Sequence, residues 1–107
     1  MKLRVEDQPD RNRYAVYAGE RRAGYVTYRR EGDVLALDHT EVSEDFEGQG
    51  VGSTLIRHVL DEAREAGVGV LPFCSFVRSY VERHPEYVAL VPEEQRDRFG
   101  LGGDQPS

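Results

Sequence analysis

The stretch Phe46-Glu47-Gly48-Gln49-Gly50-Val51-Gly52 constrains this chain more than any other. Its three glycines stand at alternate positions between two runs of different apolar period. Leu35-Ala36-Leu37-Asp38-His39-Thr40-Glu41-Val42 before it reads as a strand. After it, Val51, Leu55, Val59 and Ala63 recur every four residues with Ile56 and Leu60 beside them, the stripe of an amphipathic helix. A strand, a glycine turn and a helix N-terminus together build an anion cradle. Glycine has no Cβ, so a ligand can approach the backbone closely. The first helical N–H groups lack intrahelical partners, and the helix dipole places about half a positive charge there. Phosphate is the ligand this arrangement favours.

The remaining elements follow from the same patterns. Leu3 to Asp7 alternates as a short edge strand, and Gln8-Pro9-Asp10 breaks it. Arg13 to Ala18 and Arg22 to Arg29 are aromatic and β-branched runs about a turn at Gly19-Glu20-Arg21, which predicts a hairpin. Glu31-Gly32-Asp33 is a second turn, leading into the long strand Val34 to Val42. Gly67 suits the C′ position of the helix. Val68 to Cys74 is expected to be a buried strand parallel to the one before the helix, irregular at Pro72. Ser75 is the expected cap of a second helix carrying Phe76, Val77, Tyr80, Val81 and His84 on one side, stopped by Pro85. Tyr87 to Val91 is expected as a final strand, and Pro92 to Phe99 as a helical turn. The expected architecture is α+β: an antiparallel meander, then strand-helix-strand, then a helix and a last strand. Residues 1–92 form one domain and 93–107 a tail, frayed from Gly100 to Ser107.

A length of 107 residues suits one domain. The net charge of −6 argues against a broad nucleic-acid footprint. The single cysteine, Cys74, allows no internal disulfide and suits a reducing compartment. No run approaches about 18 apolar residues, and the N-terminus has no apolar core of signal-peptide length, so a cytoplasmic protein off the membrane is expected. No His/Cys/Asp/Glu cluster has metal-ligand spacing, so no metal is expected.

Three phosphate-binding motifs compete for the glycine stretch. A Walker loop needs lysine after its last glycine, and Gly52 is followed by Ser53-Thr54. A dinucleotide fingerprint needs a different glycine spacing and an acidic residue ending the next strand, where this chain has Cys74. The third is an acyl-coenzyme A site. Here the chain resembles the GNAT superfamily of N-acetyltransferases, whose R/Q-x-x-G-x-G/A motif lies between a strand and a helix. Glu47-Gly48-Gln49-Gly50-Val51-Gly52 fits at both closing glycines, with Glu47 where arginine or glutamine is usual. The resemblance is closer to a subgroup of short, single-domain GNAT-like proteins. They share His39-Thr40-Glu41-Val42, the glycine loop, Pro72-Phe73-Cys74 and a helix containing Tyr80, all in this order.

That resemblance implies that the two parallel strands splay and that the pantetheine arm of acetyl-coenzyme A lies in the gap. Glu41, Val42 and Ser43 would flank the arm. Gly48, Gln49, Gly50, Val51, Gly52 and Ser53 would hold the pyrophosphate through backbone N–H groups. The implied reaction is attack of a neutral amine on a thioester, which needs a base, oxyanion donors and an acid for the leaving thiolate. Tyr80 stands where the superfamily often places its acid; the alternative is a core aromatic. Cys74 ends the second parallel strand, either as a nucleophile or as a small buried hydrophobe. His39 and Glu41, two apart on one strand face, are the candidate bases, against a hydrogen-bonded histidine and a paired surface carboxylate. The arginine pairs at 21–22 and 29–30 are candidates for the 3′-phosphate or simply a solvated face.

Only Gln8 to Asn12 connect the first two strands, where larger members carry helices that wall the acceptor. The acceptor side is therefore expected to be open: either the acceptor is a protein or peptide supplying its own wall, or the activity is low, and the acidic balance favours a cationic acceptor. A monomer or weak dimer is expected. The competing readings are a coenzyme A or acyl-coenzyme A binding module with little or no transferase activity, and an interaction domain that has lost the ligand.

Overall fold

A computed structural model describes residues 2–102. Strands β1 (Leu3–Gln8), β2 (Arg13–Ala18), β3 (Arg21–Glu31) and β4 (Val34–Val42) form an antiparallel meander. Helix α1 (Val51–Ala66) then crosses over to β5 (Gly69–Pro72), which pairs parallel with β4. The result is one five-stranded sheet in the order β1-β2-β3-β4-β5. Helix α2 (Ser75–Arg83) follows, and the rest of the described chain is short 3-10 turns.

The apolar stripe of α1 makes the main core. Leu55, Ile56, Val59 and Leu60 are fully buried against Val16, Val26, Leu37 and Val70 of the sheet and Val77 and Val81 of α2. A second, smaller cluster of Ala36, Leu71, Val91 and Phe99 covers the β4–β5 end of the opposite sheet face. Gly67 closes α1 with φ 70°, the left-handed conformation expected of a C′ glycine.

Two expectations are corrected. The run Tyr87 to Val91 is not a strand: Pro85–Leu90 is a 3-10 helix. Pro85 presets its first φ, and the residues that anchor the run are Tyr87 inside the helix and Val91 at its extended C-cap, each in one of the two cores. Ser75 is not the cap of α2. Cys74 holds that position in extended conformation and makes no side-chain cap bond; its amide donates to the Leu37 carbonyl at 2.9 Å, which pins the helix start to β4. Of the expected frayed tail, Gly100 and Leu101 are tied back, the Leu101 amide to the Arg96 carbonyl at 2.8 Å. The tail beyond residue 102 lies outside the described residues.

One irregularity in β4 positions everything that follows. His39 pairs with Thr27 but Leu37 pairs with Tyr28, so Asp38 is an extra residue in the ladder. A bulge of this kind reverses which residues face which side. Leu35 and Leu37 face the main core before it. After it, Thr40 and Val42, opposite Val26 and Gly24, face that side instead. His39 and Glu41 turn to the other face.

Candidate active site

Parallel pairing between β4 and β5 stops at Leu37 opposite Pro72. Beyond it β4 runs on alone while the chain turns into α2, so the two strands splay. The Ser43 amide donates to the Ala23 carbonyl at 2.8 Å. Antiparallel alternation then turns the peptide groups of Thr40 and Val42 outward, along the open edge.

A cleft of about 390 Å³ lies beside this edge, lined by Thr40, Val42, Glu47, Gly50, Gly52 and Phe76, among others. The glycine loop forms its far end. Gly48 and Gly50 have φ of 78° and 76°, and a Cβ at either would meet nothing within 4 Å. These glycines serve the turn itself. Gly50 caps α1 with no side chain, and its carbonyl accepts the first helical bond, from the Thr54 amide at 3.0 Å. The amides of Val51, Gly52 and Ser53 precede that bond and are left for a ligand. The first turn of α1 carries no acidic residue. At Gly52 the constraint is packing: a Cβ there would come within 2.6 Å of the Phe76 ring, which lies over the helix start.

Of the residues singled out for the pyrophosphate, Gly48, Gly50, Val51, Gly52 and Ser53 line this cleft. The Gln49 side chain donates instead to the Asp45 carbonyl at 3.2 Å. Val42 lines the cleft, whereas Ser43 is engaged by β3, its hydroxyl on the Arg22 carbonyl at 3.3 Å. Glu41 and His39 lie on the opposite sheet face, exposed, with His39 Nε2 3.2 Å from Glu41 Oε1. The Tyr25 hydroxyl donates to the same oxygen at 2.8 Å. These bonds, Tyr25 first, hold the Glu41 carboxyl below its usual range.

Cys74 sits at the splay, buried, with its thiol donating to Thr40 Oγ1 at 3.1 Å. Tyr80 is not among the residues that line the cleft. It is buried in the main core, its ring 4.3 Å from that of His84 and 5.9 Å from that of Tyr87. Burial raises its pKa, and the charges it feels are those of Arg57, Asp61, Glu86 and Arg83, outside the cleft. Arg21 is held by Asp45 at 2.6 Å and Arg29 by Asp38 at 2.7 Å. Thr40 and Phe76 were not singled out by sequence reasoning. Phe76 read as part of an apolar stripe, and Thr40 faces the cleft only because of the bulge at Asp38.

A glycine-cradled helix N-terminus thus stands beside a splayed, half-open strand edge across one cleft. The chain belongs to the GCN5-related N-acetyltransferase family, whose model matches residues 13–91. It is similar to a streptothricin acetyltransferase from Streptomyces lavendulae, 38% identical over 68 residues, which is 62% of this chain and 36% of that protein. The chain thus spans about a third of the length of this curated relative. Among solved structures, a GCN5-like N-acetyltransferase candidate from Staphylococcus aureus superposes with TM-score 0.65 at 27% identity, over 83% of this chain and 87% of that one. The ribosomal-protein-S18-alanine N-acetyltransferase of Escherichia coli shares the fold, with TM-score 0.52 at 24% identity over 54% and 38% of the two chains. No described helix is long and apolar enough to cross a membrane.

Proposed function

We propose that this protein transfers an acetyl group from acetyl-coenzyme A to an amine carried on a cationic peptide or protein. The observation that carries this reading is the open edge of β4 facing a glycine cradle across one cleft. The pyrophosphate lies against the amides of Val51, Gly52 and Ser53. The pantetheine amides pair with Thr40 and Val42, taking the place of the missing strand neighbour. The arm ends at the splay, beside Cys74 and Thr40.

The acceptor arrives from the other sheet face, because the gap beyond Leu37 is where the two faces communicate. That side is open: β1 and β2 are joined by a single 3-10 turn, Pro9–Arg11, and the C-terminal turns cover only the β4–β5 end. Ionised Glu41 draws a cationic acceptor. The neutral amine attacks the thioester carbonyl; the C–N bond forms, the C–S bond breaks, and coenzyme A leaves as thiolate. The His39–Glu41 pair takes the proton from nitrogen. Water protonates the thiolate, since Tyr80 is buried with its ring packed on His84 and Tyr87. Cys74 packs at the splay and is not acylated.

Thiol release is measured with acetyl-coenzyme A and a panel of lysine-containing basic peptides and small amines. Peptides are expected to turn over faster than free amines. Glu41→Gln and His39→Ala are expected to lower kcat at least tenfold with coenzyme A affinity unchanged. Binding with no thiol release from any acceptor would overturn the transferase reading. It would leave the coenzyme A binding module, which the Glu47 carboxylate in the cleft favours. A mass adduct on Cys74 would replace direct attack by a covalent route.

A further inference from the structure

β1 borders the sheet, and among the described residues its outer row of main-chain groups faces no strand. The other border, β5, ends in Pro72 and is crowded at Gly69 by Leu90 and Pro92. β1 has none of these protections. Its six residues contain no proline, and it pairs with β2 without a register shift. An edge of this kind is a template for another strand. Leu3 and Val5 pack toward the main core, so Arg4 and Glu6 point to the opposite face, 2.9 Å apart.

We propose that β1 pairs antiparallel with β1 of a second copy of this chain, on a two-fold axis through Val5, joining the two five-stranded sheets edge to edge. The charges select this register. A two-fold axis normal to the sheet keeps equivalent faces together, so only axes through single residues are allowed. An axis at Arg4 opposes two arginines and one at Glu6 opposes two glutamates, both unfavourable. At Val5, Arg4 of each chain lies opposite Glu6 of the other, twice over, and the two valines meet on the helical face. The adjoining groove, about 450 Å³, is lined by Leu3 and Val5 and by Arg57, His58, Glu62 and Glu65 of α1. The two-fold runs the helices antiparallel, so the basic end of each groove faces the acidic end of its mate. The His39 and Glu41 faces of both copies then lie on one side of the joined sheet. This association does not depend on the transferase reading, because it leaves the cleft untouched.

Sedimentation equilibrium of the full chain tests it. The wild-type protein is expected to pass from one to two 12.1 kDa chains as concentration rises through the micromolar range. Glu6→Arg alone and Arg4→Glu alone are each expected to stay single, since each opposes like charges. Mixed in equal amounts they are expected to associate, because every cross-strand pair is then opposite in sign. Circular dichroism melts confirm that both variants fold. A wild-type protein that stays single throughout, a Glu6→Arg variant that still pairs, or a mixture that does not associate would overturn the proposal.

Discussion

At the residue scale, Glu47 is the side chain most at odds with its surroundings. It brings a carboxylate to a cleft whose far end is built to attract anions. Glu47→Gln is therefore expected to tighten acetyl-coenzyme A binding severalfold by calorimetry, with the gain shrinking as salt is raised. Affinity that is unchanged would mean the pyrophosphate lies elsewhere. Gly24 answers a different demand. A Cβ there would lie 2.6 Å from the Glu41 carbonyl oxygen, which is backbone and cannot swing aside. Gly24→Ala is expected to cost about 2 kcal/mol in denaturant unfolding, as overpacking of this kind does. The contrast with Gly52 is instructive, since its close neighbour is the tip of the Phe76 ring, and that ring can move.

At the element scale, the two ends of α1 show glycine used for two purposes. Gly50 opens the helix in the left-handed region and leaves its first amides bare; Gly67 closes it in the same region, its amide on the carbonyls of Ala63 and Arg64. Gly67→Ala keeps every contact but strains the cap, and is expected to lower stability by about 1 kcal/mol, read from a thermal melt, with coenzyme A binding unaffected. β4 carries the other decisive device. Its bulge at Asp38 puts Thr40 and Val42 on the cleft side, and turns His39 and Glu41 toward Tyr25. Without that one extra residue the two pairs would exchange faces.

At the scale of the whole molecule, tyrosines tie the elements together. The Tyr28 hydroxyl donates to Asp7 of β1 and the Tyr87 hydroxyl to Asp61 of α1, each at 2.6 Å. Burial, reinforced by these carboxylates, pushes both phenols from 10.0 up to about 12. Because the folded value is the higher one, the stability they contribute is whole below pH 10.0 and is lost as the pH climbs toward about 12. Chemical denaturation in that window is expected to show a falling midpoint. Tyr28→Phe and Tyr87→Phe should each make the fall shallower; an unchanged slope in both would place the alkaline sensitivity elsewhere.

The local elements were legible in the sequence because each rests on near neighbours. Alternation marks β2, β3 and β4, the four-residue recurrence from Val51 to Ala63 marks α1, and glycines at 48, 50 and 67 mark turns that only a missing Cβ allows. Such signals survive without knowledge of what packs against them. The family was legible for the same reason, since its motif is a local turn. The run Tyr87 to Val91 misled because an apolar pentapeptide suits a strand or a helical turn equally, and its two anchors settle in different cores. Tyr80 packs its ring on His84 and Tyr87, tertiary contacts that its position along α2 does not by itself reveal. The sequence by itself determined the meander, the crossover helix α1 and the glycine turn that opens it. Only the tertiary structure decided which side chains meet at the splay, because a single bulged residue in β4 sets the parity of everything beyond it, and parity is a property of the paired sheet.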